Sequence, residues 1–568
     1  MKKQHKNAAV IDVPDYKTLK EIIVHGTEMG GDKKMLVYLD KNKAEHTKTY
    51  NDEWKDMSEM ATCYYLDGLT GKKKIAIISE NCYEWICGYY ASLISGNISV
   101  PMDCKLPAED LEDQLIRCEC DALIYSDKYA AMVENFKQNP AMTVKVYYCT
   151  SDFDEYLKKG RDELAKGNTA AVDAEVKPDD LACIVYTSGT TGKSKGVMLT
   201  HYNVASNCAS SCRIMSGKHA IGFLPLNHTY AWVSALFSTY IVTEWGYMCD
   251  SIKDIQGDLK KYKPYNFSAV PLVVETIYDR IWKTARKMGR EDILKKGLKI
   301  SNTLMKIGID KRRKIFKQIL DNLGGNLDMI ICGGANLDPK YEKGMHDFGI
   351  DVFNGYGITE CSPLVCANND AANDYRTAGI KLPCLQWKID EPNEEGIGEI
   401  LVKGDVVMLG YYRNPELTAQ VLKDGWFYTG DYGTINSKEQ LVISGRKKNI
   451  IVLNNGKNIY PEEIESYIQS IDYVSEVIVS GEKDENGNES SLLAEVFLSE
   501  SKTPAQVLNS IRNACKELPI YKQISKVIIR DKEFEKTTSN KIKRFIGEKI
   551  KKEPRAEEQK EAATAVKK

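Results

Sequence analysis

The chain has 568 residues, more than one compact domain usually holds, so we expect one large domain and at least one smaller one. Its apolar fraction of 43% and its charged fraction of 28% exclude a chain that is disordered throughout. The 78 Lys and Arg residues nearly balance the 80 Asp and Glu residues, whereas a chain-wide nucleic-acid binder is strongly basic. We therefore expect no nucleic-acid partner.

The N-terminus and the cysteines predict a cytoplasmic protein. The first residues are polar and lack the apolar run of a secretory signal. The 16 cysteines then predict reduced thiols, most of them buried as small hydrophobes, and they show no zinc-binding spacing. The uncharged stretch 221–243 could suggest a membrane span, but Pro225, Asn227 and His228 favour a strand, a loop and a buried helix.

Short apolar runs alternate with longer helical patterns along the first part of the chain. Residues 81–95 predict a helix of this kind. The runs predict strands at 73–79, 120–126, 181–186, 220–225, 267–271, 327–334 and 352–357. Alternation of strands and helices is typical of α/β layers with buried parallel strands.

The pattern becomes rich in short strands from about residue 396. Glycine turns separate predicted strands at 398–404, 425–433 and 439–446. Beyond Arg446 a new α+β pattern begins, with helices at 462–471 and 503–518 and strands at 474–481 and 492–499.

These patterns predict an α/β fold class in two domains. A large N-terminal domain, 1–446, would contain layered α/β subdomains plus a β-rich subdomain. A small mobile α+β C-terminal domain would cover 447–550. Residues 551–568 contain almost no large apolar residue and predict a disordered polar tail.

The strand at 181–186 runs directly into a tract rich in glycine, hydroxyls and lysine, TSGTTGKSKG (187–196). Glycines let backbone N–H groups face an anion, hydroxyls donate further hydrogen bonds, and lysines neutralise charge. The tract is not a Walker A loop, because Thr187 stands where its first glycine would be, and the chain has no GxGxxG. The tract predicts a phosphate-binding loop; a flexible surface loop, the alternative, would not explain the buried strand before it.

Five motifs in order resemble the signatures of the adenylate-forming (AMP-binding) superfamily, which includes acyl-CoA synthetases, luciferases and peptide-synthetase adenylation domains. They are YTSGTTGKSKGVMLTH (186–201), NGYGITE (354–360), YTGDYG (428–433), GRKKNIIVLNNGKNIYPEEIE (445–465) and TTSNKIKR (537–544). The resemblance runs from about Thr49 to Ile550 and is closest to the long-chain fatty-acid–CoA ligases. It departs at Ser194, where the family usually has Pro, and at Asn540, where it usually has Gly.

The resemblance implies ATP, Mg²⁺ and CoA as cofactor or co-substrates. It implies Lys541 as the catalytic lysine, Thr359 on the α-phosphate and Glu360 on Mg²⁺. It also implies a hinge at Lys448. The residues that it implies for nucleotide or CoA binding are Thr187, Ser188, Gly189, Thr190, Thr191, Gly192, Lys195, Gly333, Gly334, Ala335, Asn354, Gly355, Tyr356, Gly357, Asp431, Arg446 and Gly456.

The segment 224–237 resembles the acyl-pocket segment of long-chain fatty-acid synthetases. His228 and Trp232 stand at that group's H-x-x-x-W spacing, although either could be an ordinary core residue. Residues 220–243 contain only apolar and uncharged polar residues up to Thr243, which favours an apolar acid over an amino acid.

The predicted function is therefore activation of a medium- to long-chain fatty acid to acyl-AMP, followed by transfer to CoA. A fatty acyl-AMP or acyl-carrier-protein ligase is the alternative, which leaves an acyl carrier protein open as a partner. A non-catalytic scaffold is disfavoured because Lys541, Glu360 and Asp431 are all present. The sequence leaves a homodimer open.

One basic segment stands out from the balanced total. Residues 283–317 carry thirteen Lys and Arg against three acids, with interleaved apolar residues. A solvated helical face packed on the large domain is the favoured interpretation, and peripheral contact with an anionic membrane is the alternative.

Overall fold

The computed structural model describes residues 12–187, 194–215, 217–249, 255–454, 457–483, 489–536 and 542–544. The chain forms two compact units: the first comprises Met1–Thr429 and Thr434–Ile443, and the second comprises Gly430–Gly433 and Ser444–Lys568. The predicted domain bounds, the mobility of the small domain and the disorder of the tail stay predictions. Residues 551–568 lie outside the described residues.

Most strands are short. In chain order the strands of the described residues are β1 Lys34–Leu39, β2 Glu45–Thr49, β3 Lys74–Ile78, β4 Ile98–Pro101, β5 Ala122–Tyr125, β6 Val146–Cys149, β7 Leu181–Thr187, β8 Lys195–Thr200, β9 Ala220–Gly222, β10 Gly246–Met248, β11 Asn266–Ala269, β12 Met329–Cys332, β13 Asp351–Gly357, β14 Leu364–Ala367, β15 Gly379–Lys381, β16 Leu385–Asp390, β17 Gly398–Gly404, β18 Gly410–Tyr411, β19 Leu422–Lys423, β20 Trp426–Ile435, β21 Gln440–Arg446, β22 Ile451–Val452, β23 Asn458–Ile459, β24 Val474–Lys483, β25 Glu489–Leu498 and β26 Ile524–Arg530.

Helices alternate with these strands. In chain order they are α1 Leu19–Gly30, α2 Tyr50–Leu66, α3 Tyr83–Ile94, α4 Ala108–Cys118, α5 Ala130–Lys137, α6 Phe153–Leu164, α7 His201–Ile214, α8 Thr229–Ala231, α9 Phe237–Val242, α10 Ile255–Tyr262, α11 Pro271–Lys287, α12 Glu291–Lys306, α13 Arg312–Ile315, α14 Lys317–Asn322, α15 Pro339–Phe348, α16 Pro415–Val421, α17 Pro461–Gln469 and α18 Pro504–Ala514. A π-helical turn, Trp232–Leu236, joins α8 to α9.

The largest sheet joins an α/β layer to the β-rich region. Its strands β13, β12, β11, β9, β10 and β1 are neighbours in that order and all parallel. Beyond β13 it continues through antiparallel pairs into β14, β15 and the later strands. Parallel strands are buried on both faces, which explains why their sequences read as continuous apolar runs.

A second sheet has the order β18-β8-β7-β4-β3-β5-β6. It is parallel from β7 to β6, whereas β8 returns antiparallel to β7. Helices α1, α2, α3, α7 and α9 contribute to the main apolar cluster, which also contains side chains from both sheets. The predicted large domain of α/β subdomains plus a β-rich subdomain is confirmed.

The second unit has its own small core. Strands β24, β25 and β26 form a three-stranded mixed sheet. Ile464 and Ile468 of α17 and Val507 and Ile511 of α18 are fully buried in its apolar cluster. Thr503 caps α18 with a reciprocal bond to Gln506, which explains why the predicted helix begins there. The predicted small α+β domain is confirmed as a fold.

Local signals explain the differences between predicted and observed bounds. The run 267–271 ends as a strand at Ala269, because Pro271 begins α11 and favours the first position of a helix. The uncharged stretch 221–243 folds as the end of β9, a loop and short helices, as predicted. Within the described residues no helix is both long and apolar enough to cross a membrane. Most of the cysteines are buried, as predicted.

Candidate functional site

Two predicted nucleotide loops meet at the carboxyl ends of parallel strands. Cys332 of β12 pairs with Asn354 of β13, so Gly333 leaves its strand beside Gly355. A Cβ atom on Gly333 would lie 3.5 Å from the Gly355 carbonyl oxygen and 3.5 Å from the ring of Tyr230. The crevice at such strand ends is the usual binding position in open α/β sheets.

Two glycines in these loops are required by the backbone. Gly334 has a φ of +86°, a conformation that side chains disfavour. A Cβ atom on Gly357 would lie 2.5 Å from the Pro363 carbonyl oxygen, so that any larger residue would displace the backbone. These loops can therefore approach a flat ligand closely with their main chain.

The side chains around these glycines differ in exposure. Ala335 is exposed, whereas Tyr356 and Asn354 are buried at 9% and 8% exposure. The Asn354 side-chain carbonyl is buried and has no hydrogen-bond partner among the described residues. Because such groups are seldom left unpaired, this oxygen is a candidate acceptor for a ligand.

A lysine, a tyrosine and a glutamate form the charged centre of the candidate site. The Lys195 ammonium lies 3.1 Å from Oε1 of Glu360 and donates to the Tyr411 hydroxyl at 2.6 Å. The Tyr411 hydroxyl donates to the same Glu360 oxygen at 2.8 Å. Glu360 belongs to a 3-10 turn, Thr359–Cys361, directly after β13. The turn thus places Thr359 and Glu360 beside the first residue of β8.

Tyr411 was missed by the sequence reasoning. Burial and, after it, the neighbouring Glu360 charge raise the pKa of Tyr411, so that it acts as a neutral donor. Its backbone pairs with β8 through β18, which explains its position beside Lys195. The run GYYRNPE places Tyr411 at a strand end near a glycine turn, a position from which a tyrosine can face a site. Spacing alone, however, does not indicate a partner 216 positions away in the sequence.

The donor set around Glu360 fits Mg²⁺ bound together with phosphate. Mg²⁺ prefers oxygen ligands and is usually held by one or two carboxylates plus substrate phosphates. The contacts from Lys195 and Tyr411 both fall on Oε1 of Glu360. Within the described ranges, no group of three or more His, Cys, Asp or Glu is placed to hold a metal by protein ligands alone.

The predicted phosphate loop connects two antiparallel strands. Thr187 of β7 pairs with Lys195 of β8. The Thr187 hydroxyl is buried and without a partner among the described residues. The remaining loop residues of the prediction lie outside the described residues; they are Ser188, Gly189, Thr190, Thr191 and Gly192.

The end of this loop is held from α4. Gln114 donates to the Ser194 hydroxyl at 3.1 Å, and Arg117 donates to the Ser194 carbonyl at 3.2 Å. Arg117 and Gln114 were also missed by the sequence reasoning, since nothing in the helix pattern of α4 indicates them. These hydrogen bonds hold Ser194, the serine that stands where the family usually has proline, in place.

The second unit contains the remaining predicted site residues. Asp431 is buried at 5% exposure, and its Oδ1 lies 3.3 Å from Nε of the exposed Arg446. Lys448 follows in the exposed 3-10 turn Lys447–Asn449, at the predicted hinge. Gly456 and Lys541 lie outside the described residues.

The two predicted acyl-site residues lie on the segment after β9. His228 precedes α8, and its backbone N–H donates to the Pro225 carbonyl at 3.1 Å. Trp232 is fully buried, donates its indole N–H to the Leu226 carbonyl at 2.7 Å and packs on Tyr89. Neither side chain lines the cavity that this segment encloses.

That cavity is mostly apolar and has a volume of about 60 Å³. Tyr230 is adjacent to the lining residue Ala231 and joins this wall of the cavity to β12, because its hydroxyl donates to the Ile331 carbonyl at 2.9 Å. The cavity is lined by residues of β1, α2, α3, β9, the segment 224–239, β10 and β11: Met35, Leu36, Glu53, Asn81, Ile86, Tyr90, Ala220, Ile221, Gly222, Leu224, Leu226, Ala231, Ser234, Ala235, Leu236, Thr239, Gly246, Tyr247, Met248 and Ser268.

Comparison with known proteins agrees with this geometry. The family described as AMP-binding enzyme matches residues 25–412, and its C-terminal domain matches residues 448–549. A long-chain-fatty-acid–[acyl-carrier-protein] ligase of Arabidopsis thaliana is 28% identical over 84% of this chain and 76% of its own. Long-chain-fatty-acid–CoA ligase 5 of Mus musculus is 28% identical over 82% of this chain and 74% of its own.

Solved structures share the fold. O-succinylbenzoate coenzyme A synthetase of Bacillus subtilis, in complex with ATP and magnesium ion, has a TM-score of 0.72 at 23% identity and covers 92% of this chain and 98% of its own. The match of the family over more than half of the chain, together with the strand-end loops that carry its motifs, leads to one conclusion. This chain is a member of the AMP-binding enzyme family.

Proposed function

We propose that this protein is an acid–thiol ligase that activates a medium- to long-chain fatty acid with ATP and then transfers the acyl group to CoA. In the first step a carboxylate oxygen attacks the α-phosphorus, the bond to the β-phosphate breaks, and pyrophosphate leaves. In the second step the thiol loses its proton, its sulfur attacks the acyl carbonyl, and AMP leaves.

One observation carries the proposal: an apolar cavity lies next to strand ends that bear the family's nucleotide motifs. Ala231 lines the cavity, and the adjacent Tyr230 lies beside Gly333, where a Cβ atom would be 3.5 Å from its ring. A pocket that is mostly apolar with few polar groups suits an acyl chain better than an amino acid. The fatty-acid ligases among the relatives support the same substrate class.

The charged centre has the properties that adenylation requires. Lys195 supplies a fixed positive charge, and Tyr411 holds Glu360 in place through a charge-assisted hydrogen bond. Preorganised charges of this kind stabilise a transition state without reorganisation during the reaction. When bound at Glu360, Mg²⁺ would neutralise phosphate charge. Thr359 is the neighbouring hydroxyl donor for the α-phosphate.

The C-terminal unit completes the proposal. Asp431 would accept the ribose hydroxyls with Arg446 beside it, and Lys541 would bridge the acid and the α-phosphate. Lys448 would be the hinge about which the small domain turns for the second step, and Gly456 would line the path of the pantetheine.

The alternative is a ligase that uses an acyl carrier protein as thiol acceptor. The Arabidopsis relative, a long-chain-fatty-acid–[acyl-carrier-protein] ligase, favours this possibility. CoA and a carrier protein present the same pantetheine thiol, so the acceptor has to be tested directly.

Pyrophosphate release from the purified chain tests the proposal. The screen compares fatty, aromatic and amino acids with ATP and Mg²⁺, and then adds CoA or a carrier protein to the best acid. Fatty acids should be preferred, and Glu360→Gln should be inactive while Glu416→Gln, on the exposed α16, should be unaffected. Release with amino acids alone, or full activity of Glu360→Gln, would contradict the proposal.

The basic segment 283–317 supports a peripheral membrane contact as part of this function. Leu294 of α12 is buried as the packed-face interpretation requires, but Ile293, Ile300 and Ile307 are exposed by 66%, 58% and 68%. Residues seven apart lie on one face of a helix, so the three isoleucines form one exposed apolar stripe among lysines. A bilayer with anionic lipid matches this combination of charge and apolar surface.

A further inference from the structure

The cavity follows the strand order of the large sheet. Ser268 lies on β11, Ile221 on β9, Tyr247 on β10 and Leu36 on β1, and these four strands are neighbours in that order. Three strand spacings of about 4.8 Å separate the first from the last, roughly 14 Å in all. Because β11 lies beside β12, from which the Gly333 loop leaves, the Ser268 end is proximal to the nucleotide motifs and the β1 end is distal.

The opposite wall places polar groups at the distal end. Glu53 lies in the first turn of α2, which begins directly after β2, the strand paired with β1. Glu53 and the neighbouring Tyr90 of α3 both line the cavity. Both side chains are completely buried. No hydrogen bond of normal length and angle reaches the Glu53 carboxyl, the Tyr90 hydroxyl or the Ser268 hydroxyl from the described residues. The Tyr240 hydroxyl lies close to Glu53, and the Tyr230 hydroxyl lies close to Ser268. A buried polar group of a native protein almost always has a good partner, so Glu53 and Tyr90 on one cavity call for a common one.

The protonation of Glu53 limits what this partner can be. Burial raises the pKa of Glu53 to about 8 and outweighs the lowering by the Tyr240 hydroxyl, acting as a hydrogen-bond donor, and by the Lys48 charge; the Asp56 charge raises this pKa further. Lys48 itself is paired with Asp56 at 2.5 Å. At neutral pH the Glu53 carboxyl is thus uncharged and can both donate and accept a hydrogen bond.

Tyr90 shares this environment. Burial and, after it, the neighbouring Glu53 charge raise the pKa of Tyr90, so its hydroxyl also stays neutral. A neutral group that both donates and accepts matches these two side chains, whereas a carboxylate brought into the pocket would lack a cation. A wholly saturated acyl chain would leave the Glu53 carboxyl and the Tyr90 hydroxyl without hydrogen bonds, which costs free energy. An alcohol oxygen on the chain would hydrogen-bond to both and remove this cost.

We propose that the acid activated by this protein carries a hydroxyl group on the distal part of its acyl chain, and that Glu53 and Tyr90 determine this specificity by hydrogen bonding to it. The inference rests on the proposed function, since it names the class of fatty acid that enters the cavity. Ser268, at the proximal end, would contact the part of the acyl chain nearest the carboxyl group.

The test compares matched pairs of acids on the purified full-length protein. Decanoate, dodecanoate and hexadecanoate are each measured against the same acid with a terminal hydroxyl, by kcat/KM for pyrophosphate release. At the length that fits best, the hydroxylated acid should be preferred by roughly ten- to a hundredfold, because a site that hydrogen-bonds a substrate hydroxyl discriminates strongly against the analogue without it.

Variants then test whether Glu53 produces the preference for the hydroxylated acid. Glu53→Leu should abolish the preference by lowering kcat/KM for the hydroxylated acid at least tenfold relative to the plain acid. Glu53→Gln keeps a donor and an acceptor and should retain most of the preference. The matched control is Glu342→Gln: Glu342 is an equally buried carboxyl without a partner among the described residues, but it does not line the cavity. It should leave the ratio unchanged.

The outcomes separate this inference from the proposed function. Plain acids used as well as hydroxylated ones at every length would overturn the inference and leave fatty-acid activation standing; the polar groups would then be satisfied by water. Equal losses for both acids in Glu53→Leu would also overturn it. If no acid of either kind releases pyrophosphate, both proposals are wrong. Should Glu53→Leu not accumulate, the wild-type and Glu53→Gln ratios decide.

Discussion

Replacing Glu53 by Gln should stabilise the protein at alkaline pH and have little effect near pH 5. The ordinary pKa of a glutamate, 4.5, is raised to about 8 at Glu53, chiefly by burial. Between these two pH values the folded state holds a proton that the unfolded state has lost, so the free energy of unfolding falls as pH rises. Gln cannot ionise and removes this dependence.

The magnitude follows from the two pKa values. Their difference lowers the free energy of unfolding by about 4 kcal/mol at pH 8 and about 5 kcal/mol well above it, by about 3 kcal/mol at pH 7, and by less than about 1 kcal/mol at pH 5. The side chain is completely buried, so no reduction for solvent screening applies. Relative to wild type, Glu53→Gln should therefore gain several kcal/mol at pH 8.

Urea unfolding of the protein without substrates, followed by tryptophan fluorescence at pH 5 and pH 8, measures the effect. Glu342→Gln should behave alike, because burial also raises the pKa of Glu342 to about 8. Glu155→Gln, on the exposed face of α6, should show no pH-dependent gain. Coincident unfolding of wild type and Glu53→Gln at pH 8, or an equal difference at both pH values, would refute the reasoning.

Four other predictions concern the site and the basic segment. Lys541→Ala should abolish adenylate formation but leave thioester formation from supplied acyl-adenylate largely intact; equal loss of both half-reactions would contradict this. Trp232 does not line the cavity, but its indole N–H holds the carbonyl of Leu226, which does, so Trp232→Ala should change acyl affinity or chain-length preference more than the KM for ATP. Loss of this fully buried indole should also destabilise the protein by about 3–5 kcal/mol, and an unchanged acid profile with weaker ATP binding would be the contrary result. Glu360→Gln should lower kcat for pyrophosphate release by at least about a hundredfold, and added Mg²⁺ should not restore kcat, because the carboxylate that would hold the ion is missing. A wild-type kcat would disprove the assignment. In liposome sedimentation the segment 283–317 should bind vesicles with anionic lipid at low salt and release them at high salt, since screening weakens the attraction; binding that is absent or indifferent to salt would leave only the packed helical face.

Local sequence determined most of the secondary structure and the family. Alternating apolar runs predicted β3, β5, β7, β12 and β13 to within two or three residues, because a buried parallel strand needs a continuous apolar sequence. The motif residues Gly333, Gly334, Gly355 and Gly357 were found through the resemblance to the family, and the backbone requires glycine at Gly334 and Gly357.

Tertiary structure alone decided which side chains meet. Lys195 and Tyr411 are 216 positions apart and become neighbours only because β18 pairs with β8. Trp232 could have faced an acyl chain or the core, and its packing on Tyr89 places it in the core. The sequence did not single out Glu53, and only the fold buries it on a cavity opposite four strands. Periodicity reports the face a residue occupies on its own element, whereas the charge state and partners of that residue depend on the elements packed against it, which the order of strands in the sheet determines.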